Sequence, residues 1–368
     1  MSPDFHKCSS TGDLDNAAYN ALVVAEFDRL HSQINEKAVC ELASGLNGGK
    51  PCTVEYPSEA VGSNALTGCA NYHARIRFSD GTPSWLMRVP RVTGFTVGFP
   101  VRLAEYLVRS EYATLKFLET TAVPAPRAFS FGLPSQGTDH GIGVCFLLME
   151  ELSGKPWDGQ GDTAKVWKGL ADIFAELEKY PFTKAGSLYV EHPDGQPSIS
   201  AAASDRFILY RFLQDNAARL TDPEGKFFLK HVDDKGDHLM VDDHLNIIGI
   251  IDWQMTRVVP RREAFALSLV SADMAALCDG NVPISEDDVA LSNALREKGS
   301  ELASYTGDER VRRFFSRLGL EAEWTYALPL ANAILQVFGA EQSWDEWKEE
   351  ALKQYETGER LKALLGNQ

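Results

Sequence analysis

The spacing of apolar residues divides the chain into stretches with different predicted structures. From Asp15 to Gly45 the apolar positions recur at helical spacing, and Asp13 and Asp15 are candidate helix caps. Between residues 52 and 152 the pattern changes to the strands HARIRFSD and SWLMRVP, the amphipathic helix LAEYLVRSEYATLKFLE and the buried strand VCFLLMEEL. We expect a helical N-terminal extension over residues 1–51 and a small α+β lobe over residues 52–152.

From residue 153 to residue 368 the apolar periodicity is mainly helical, which predicts a larger helical lobe. The predicted helices cover residues 163–180, 205–220, 262–278, 287–305 and 343–365. A stretch rich in Gly, Pro and Ser, residues 185–200, predicts a long surface loop. One hairpin interrupts the helices.

The interrupting segment, FFLKHVDDKGDHLMVDDHLNIIGIIDWQ, predicts a hairpin with carboxylates at both ends. Asp233 and Asp234 follow a short apolar strand, and Asp252 follows the stronger strand IIGII. The turn-prone sequence DDHLN separates the two β-forming runs of the hairpin. We expect the carboxylates to face one cleft, an arrangement that suits phosphoryl transfer.

Composition narrows the class of partner. The chain has 368 residues, 44% hydrophobic and 24% charged, and a formal net charge of −16. This acidity argues against nucleic acid or an anionic membrane as a partner, and it suits a cationic or neutral small substrate. Six dispersed cysteines without a CxxC pair suggest neither a zinc cluster nor a disulfide framework. With no secretory signal and no long apolar run, we expect a cytoplasmic protein with reduced thiols.

The order of a sheet-rich lobe, a short connector and a helical lobe containing HxD and then IDW resembles the aminoglycoside phosphotransferase (APH) family, a kinase-like superfamily, and in particular its fungal members. That family's pattern is H-x-D-x-x-x-x-N, an apolar strand and I-D-W/F/L. Here the matching residues are His231-Val-Asp233 through His238, and then Ile251-Asp252-Trp253. The resemblance spans residues 62–267. It implies a two-lobed, protein-kinase-like α+β fold with a small antiparallel-sheet N-lobe and a larger, mainly helical C-lobe.

The resemblance also implies a chemistry, in which ATP or GTP donates a phosphoryl group to a small hydroxyl-bearing acceptor. Asp233 would accept or orient the proton of the attacking hydroxyl, and Lys235 would reach the transferred phosphoryl group. Asp252 would bind Mg²⁺, because a hard cation prefers oxygen ligands. The helical lobe would carry the acceptor site.

The small lobe would hold the nucleotide. By resemblance, a glycine-containing hairpin lies over the phosphates, Arg88 takes the place of the usual phosphate-binding lysine, and Glu111 pairs with that cation. Arginine can bind phosphate bidentately, although its reach differs from that of lysine. Backbone groups of the connector would bond the base. The nucleotide-binding residues implied are Gly68, Asn71, Arg88, Glu111, Glu150, Glu151 and Leu152.

The main departure from the family pattern is His238, which stands where the family has asparagine. Imidazole is a softer metal ligand than an amide oxygen. Three outcomes are open: His238 still contacts a metal or phosphate oxygen, Asp237 supplies the oxygen, or the second metal is absent. Further along, Glu263 is a candidate to replace an aspartate that relatives carry on the next helix.

Two functions of other classes remain as alternatives. His231, His238 and His244 could suggest a metal hydrolase, but their spacing does not put two ligands on one helix face. The other alternative is a nucleotide-binding pseudokinase or an interaction protein without phosphotransfer. A kinase that acts on protein is a variant of the phosphotransferase hypothesis. The acceptor stays unidentified. Carboxylates that could receive ammonium groups include Glu176, Glu178, Asp205, Asp215 and Asp273.

Overall fold

The chain divides into two compact units, each assembled from separate stretches of sequence. The structure, a computed structural model, describes residues 16–57, 70–91, 101–191, 198–200, 225–233, 236–273, 276, 284–306, 331–336 and 338–355. The first unit contains Met1–Asp158, Leu188–Ser198 and Ile248–Met255, and the second contains Gly159–Ser187, Ile199–Ile247 and Thr256–Gln368. The IDW strand end therefore belongs to the first unit, whereas the HxD loop belongs to the second.

A five-stranded antiparallel sheet forms the centre of the first unit. Its strands are β1 (Cys52–Glu55), β2 (Asn71–Phe78), β3 (Trp85–Pro90), β4 (Ala128–Gly132) and β5 (Phe146–Glu150), in the order β1-β2-β3-β5-β4. Along β2 the buried side chains alternate, as a strand with one covered face requires. The three strands expected from the pattern are confirmed, and β1 and β4 are additional strands at the two edges.

Helix α3 (Val101–Leu118) lies between β3 and β5 in the sequence and confirms the amphipathic helix expected there. All of its residues from Leu107 to Leu115 are buried, including the charged Arg109 and Glu111. A helix that buries charged residues has to provide partners for them, because unpaired buried charge is costly. The partner of Glu111, Arg88, is the centre of the candidate site.

The N-terminal extension contains two helices where the pattern suggested one. Helix α1 spans Asn16–Gln33 and helix α2 spans Glu36–Leu46, while the predicted caps Asp13 and Asp15 lie outside the described residues. The break falls at Asn35, whose side chain accepts the Ala38 N–H at 3.3 Å and so caps α2. Asparagine favours this position over a helix interior because its side chain competes for backbone N–H groups.

Both N-terminal helices contribute to the core of the first unit. Val23 and Phe27 from α1 and Val39 from α2 are buried in one cluster with Tyr72 and Ile76 of β2. Within this core, Glu26 of α1 accepts two hydrogen bonds from Arg91, at 2.9 and 2.8 Å. The extension therefore covers one face of the sheet and is fastened to the end of β3. The predicted domain limits at residues 51 and 152 stay a prediction.

The second unit is mainly helical, with helix α4 over Thr163–Leu177 and further helices over Glu286–Glu297 and Trp344–Tyr355. Strand Phe227–Lys230 pairs antiparallel with Arg257–Pro260. Taken together, the sheet of the first unit and the helices of the second confirm the α+β class. Among the described residues, no helix combines the length and apolar character needed to span a bilayer.

The prediction of a helix over residues 262–278 is wrong for most of the residues in this range that the structure describes. Among residues 261–273, all of which the structure describes, a helix covers Arg261–Ala264 and bends and turns follow, and Ala276 further on is helical. The six consecutive residues 264–269 are all buried. This run is apolar because it is buried on every side, and not because it forms one apolar face of a helix. The periodicity of a sequence cannot distinguish a fully buried segment from an amphipathic helix here. The predicted helix over 205–220 lies outside the described residues.

The predicted hairpin turn is confirmed. Strands Leu239–Val241 and Ile247–Ile250 flank it, and the Asp242 N–H donates to the Asn246 carbonyl at 3.1 Å. The Asp242 carboxylate accepts from the backbone N–H groups of His244 and Asn246, both at 2.9 Å. The Asn246 side chain also donates to this carboxylate, at 2.7 Å. Together these hydrogen bonds lower the pKa of Asp242, and the bond from the Asn246 side chain contributes most. An aspartate at the start of the turn thus fixes the hairpin.

Replacement of Glu26 by alanine should destabilise the first unit by about 3–5 kcal/mol, because it leaves the buried Arg91 guanidinium without its carboxylate. Urea unfolding of the full chain measures the change. Glu55→Ala is the matched control, since it breaks the exposed Glu55–Arg77 pair in the same sheet and should have a much smaller effect. Equal losses in the two variants would contradict a structural role for the buried pair.

Candidate functional site

A buried ion-pair cluster centres on Arg88 of β3. The Arg88 side chain is 5% exposed; Nη1 donates to Oε1 of Glu111 and Nη2 donates to Oδ1 of Asp252, both at 2.5 Å. Glu111 lies on α3, and Asp252 follows the strand Ile247–Ile250. The first unit thus joins a strand, a helix and a strand end through one guanidinium. The Arg88–Glu111 contact is the pairing that the family resemblance implies, while its role in nucleotide binding stays a prediction.

The carboxyl group of Glu111 is costly to ionise where it lies. Its pKa is raised to about 7, because the increase due to burial, to which the nearby Asp252 carboxylate adds, exceeds the lowering due to Arg88. Isolated burial of a carboxylate is unfavourable, and a positioned cation offsets part of that cost. Arg88 therefore offsets the cost of burying the Glu111 carboxylate, and Glu111 offsets the cost of burying the Arg88 guanidinium.

Asp252 is held at the end of its strand in an unusual backbone conformation. Its φ is +62°, in the left-handed region that non-glycine residues seldom adopt. Next in the chain, Trp253 is 1% exposed and its indole Nε1 donates to the Ile250 carbonyl at 2.7 Å. The buried indole fastens the turn, and the Asp252 side chain remains about one-third exposed. Asp252 therefore offers a carboxylate that solvent or a ligand can reach.

Two amide side chains complete the cluster around Arg88. Asn71 of β2 is 3% exposed and Gln254 is 5% exposed, and their amides lie 2.8 Å apart. The Gln254 amide also lies 3.3 Å from Nη2 of Arg88. Asn71 was expected over the nucleotide phosphates, and the structure buries its side chain against these neighbours. Gln254 was not expected, since a glutamine after IDW belongs to no motif and the sequence does not reveal that it is buried.

The connector residues already use part of their hydrogen-bonding capacity. The Glu150 N–H donates to the Arg127 carbonyl at 2.8 Å, and the Glu151 N–H donates to the Ser84 carbonyl at 3.2 Å. The Glu151 carboxylate accepts from Nε of Arg75 at 2.9 and 2.8 Å. These contacts fix the connector to β2 and to the turn before β3.

Leu152, the third connector residue, is packed through its side chain. A Cβ atom built on Gly249 would overlap Cδ1 of Leu152. Glycine at 249 therefore lets the strand that leads to Asp252 approach the connector closely. The position of Leu152 and the position of this strand depend on one another.

The HxD loop lies in the second unit. Nδ1 of His238 lies 2.5 Å from the carbonyl oxygen of Asp233, so the ring spans the loop. A carbonyl can only accept, so Nδ1 carries a proton in this contact. Asp237 is largely exposed, with Oδ1 4.0 Å from Nδ1 of His238. Lys235, together with Asp234, lies outside the described residues.

Of the expected nucleotide-binding residues, the structure brings together Asn71, Arg88 and Glu111 with the expected metal ligand Asp252. Gly68 lies outside the described residues. The prediction that Asp233 and Asp252 face one cleft stays a prediction.

Comparison with known proteins identifies the family. Residues 75–283, more than half of the chain, match the family model described as APH, the phosphotransferase enzyme family. The chain therefore belongs to the APH phosphotransferase family, and the resemblance drawn from the HxD and IDW motifs is confirmed. The kinase-like α+β fold class is confirmed with it. The match does not bear on the likeness to fungal members.

Several solved structures are distantly similar. A thermostable variant of the aminoglycoside phosphotransferase APH(4)-Ia, in a ternary complex with AMP-PNP and hygromycin B, is 10% identical, with a TM-score of 0.48 and coverage of 83% of this chain and 99% of that chain. The macrolide 2'-phosphotransferase MphH from Brachybacterium faecium is 15% identical, with a TM-score of 0.42 and coverage of 81% and 97%. A macrolide 2'-phosphotransferase type I is 17% identical, with a TM-score of 0.40 and coverage of 82% and 96%. No curated protein sequence matches the chain.

The titration of Glu111 should appear in the pH dependence of stability. Its pKa is raised from 4.5 to about 7 on folding, so between these values the folded state binds more protons than the unfolded state. The free energy of unfolding, relative to Glu111→Gln, should therefore be highest below pH 4.5 and fall as the pH rises through 7, with a slope of up to about 1.4 kcal/mol per pH unit.

Denaturant unfolding of both proteins across this range measures the difference. Glu55→Gln is the control, because Glu55 is exposed and Arg77 lowers its pKa, so its difference should not fall in the same window. A difference for Glu111 that is flat between pH 4.5 and 7 would mean that Arg88 keeps this carboxylate ionised throughout.

Proposed function

We propose that this phosphotransferase moves the γ-phosphoryl group of ATP or GTP to a hydroxyl group of a small molecule. The observation that carries the proposal is the buried guanidinium of Arg88, which contacts Glu111 and Asp252 within one compact unit. Phosphoryl transfer needs little covalent work from the protein and depends on positioned charge. A fixed cation beside a strand-end carboxylate supplies charged groups of the kind that this chemistry uses.

Arg88 is the proposed contact for the α- and β-phosphates. Its charge persists at all physiological pH values, and its planar fork suits phosphate oxygens. Glu111 fixes the guanidinium from α3, and Gly68 would let the backbone approach the phosphates. Backbone groups of the connector, Leu152 among them, would bond the base. Recognition through backbone groups places little constraint on side chains, so ATP and GTP are both retained.

Asp252 is the proposed Mg²⁺ ligand. Its carboxylate is a hard oxygen donor, it is about one-third exposed, and its backbone is fastened by the buried Trp253. These features fit a cation that prefers oxygen ligands and retains several waters. When bound, Mg²⁺ would neutralise charge on the phosphate oxygens. Asp237, largely exposed, and His238, whose Nδ1 is engaged by the Asp233 carbonyl and whose other ring nitrogen is Nε2, are the candidates for a further ligand.

Asp233 is the proposed base for the acceptor hydroxyl, with Lys235 as a charge for the transferred group. The bond from His238 to the Asp233 carbonyl supports the assignment, because it ties the backbone of the loop at this residue. General-base assistance of this kind contributes about 10²–10⁴-fold to rate. In this reading, the histidine that replaces the family's asparagine has a defined task in holding the loop.

The acceptor is proposed as a hydroxyl-bearing small molecule, and the net charge of −16 favours a cationic or neutral one. Some carboxylates of the second unit are already engaged. Glu178 is ion-paired with Arg261, and Glu176 accepts from Lys179 at 2.7 Å and from Tyr180 at 3.0 Å. They are therefore weaker candidates for recognising an ammonium group than their sequence positions suggested.

Asp233→Asn and Asp252→Asn should each reduce phosphoryl transfer by at least about 10²-fold, the first by removing the base and the second by removing the metal ligand. The assay is release of ADP or GDP with a panel of hydroxyl-bearing amines. Asp243→Asn is the matched control, since Asp243 is an exposed turn residue of the same hairpin, and it should keep full turnover.

Nucleotide binding separates the two roles. With ATP or GTP at about a hundredfold its dissociation constant, the native protein should gain about 2.7 kcal/mol in stability. The Mg²⁺-dependent part of this gain should be lost in Asp252→Asn and kept in Asp233→Asn. Stabilisation of the native protein without turnover on any acceptor would favour a nucleotide-binding protein without transfer or a kinase acting on protein. Full turnover by Asp233→Asn would refute the base assignment.

Gly249→Ala should weaken nucleotide binding by displacing Leu152 from its place in the connector. Overpacking of this kind costs typically about 1–3 kcal/mol, and about 1.4 kcal/mol corresponds to tenfold. We expect the nucleotide KM to rise about tenfold with kcat changed less. Gly45→Ala, at a helix position where a methyl group meets no neighbour, is the control. An unchanged KM in a folded Gly249→Ala protein would remove Leu152 from the nucleotide site.

A further inference from the structure

The guanidinium of Arg88 is bound along two of its edges. The edge formed by Nη1 and Nη2 faces the two carboxylates, Glu111 and Asp252. The edge formed by Nε and Nη2 faces the side-chain amide of Asn71, whose nearest atom lies 3.1 Å from Nε and 2.5 Å from Nη2. An arginine side chain has five N–H groups and no acceptor, so a buried one needs acceptors on both edges.

The orientation of the Asn71 amide follows from these distances. With its NH₂ group toward Arg88, donors would face donors at hydrogen-bonding distance. With its oxygen toward Arg88, the same atom accepts from both Nε and Nη2. Two carbonyl oxygens cannot share a hydrogen bond, so Gln254, 2.8 Å from that atom, has to turn its own NH₂ group toward the Asn71 oxygen and donate to it. Asn71 and Gln254 together form a buried amide pair, each with an exposed fraction of 5% or less.

The amide pair restricts how the carboxylates can bind Arg88. Carboxylates often grip arginine side-on, through Nε and one Nη atom, in a bidentate pair. Here the Asn71 oxygen occupies that edge, so Glu111 and Asp252 each take one Nη atom instead. Without the amide oxygen, the guanidinium could turn so that one carboxylate took both bonds. Its orientation toward the other groups of the site would then be lost.

We propose that Asn71 and Gln254 are positioning residues that hold the Arg88 guanidinium in one orientation for the phosphates. The inference rests on the proposed function for its consequence in nucleotide binding. It also explains why arginine can replace the family's usual lysine at this position. The Asn71 oxygen meets the Nε–H edge that a lysine does not have, and Gln254 holds Asn71 in place.

The first test observes the guanidinium directly and requires no activity. In full-length protein labelled with ¹⁵N-arginine, the Arg88 Nε–H signal is identified by its loss in Arg88→Lys. This proton should exchange slowly in the native protein, and in Asn71→Leu it should shift and exchange at least about tenfold faster. Gln254→Leu should have a smaller effect of the same sign. An Arg88 Nε–H signal unchanged by Asn71→Leu would overturn the proposal.

The second test is a double-mutant cycle on nucleotide KM. A hydrogen bond to a charged group is worth enough for Asn71→Leu to raise KM by about tenfold in the Arg88 protein, and Gln254→Leu, which acts through Asn71, should raise it less. In the Arg88→Lys background the same changes should have little further effect, because the ammonium lacks the Nε–H edge. Equal effects in both backgrounds would mean a merely structural role and would overturn the proposal.

Gln136→Leu is the matched control. Gln136 is an amide that accepts from a different buried arginine of the same unit, Arg109. Its loss should leave the Arg88 signal and the nucleotide KM unchanged. If the native protein neither binds nor turns over any nucleotide, the proposed function fails, and the Arg88 signal alone still decides whether the amide pair positions the guanidinium.

Discussion

One buried positive charge links the parts of the first unit to which the proposed function assigns the nucleotide phosphates and the metal. Arg88 lies on β3, Glu111 on α3, Asn71 on β2, and Asp252 and Gln254 at the end of a strand that comes from far along the sequence. Burial of a guanidinium is unfavourable unless acceptors surround it, and removal of one partner leaves the others uncompensated. The relative positions of a helix and three strands therefore depend on how completely this single charge is satisfied.

The same requirement for partners explains why the N-terminal helices belong to this core. Arg91 follows β3 three residues after Arg88, and it is buried against Glu26 of α1. Two arginines near one strand end are thus neutralised from different directions, one by the extension and one by α3 and Asp252. Apolar packing alone would leave β3 able to shift along the sheet, whereas two fixed ion pairs at its end define its register against both helices.

The sequence predicts the parts of the fold in which the apolar pattern and the local structure agree. Strands β2, β3 and β5 and helix α3 are of this kind. Edge strand β1 was missed because it has only four residues and no fully buried side chain, and the break between α1 and α2 depends on one capping asparagine. Residues 264–269 show the opposite failure, since complete burial imitates a helical pattern. Of the residues around Arg88, those at positions of the family pattern could be named from the sequence. Gln254 could not, because its role depends on its burial beside Arg88, which the sequence does not reveal.

The balance of charges explains why the amide pair is needed in addition to the carboxylates. Asp252 has two tasks in the proposed reaction, since it pairs with Arg88 and offers its oxygen atoms to a cation. A cation bound by Asp252 would weaken the interaction of this carboxylate with Arg88, and Glu111 alone would then draw the guanidinium into a side-on pair. The neutral oxygen of Asn71 is not claimed by a metal, so its contacts with Nε and Nη2 persist through that change. The neutral Asn71 oxygen would thus keep the Arg88 guanidinium oriented while the neighbouring Asp252 carboxylate bound the metal ion.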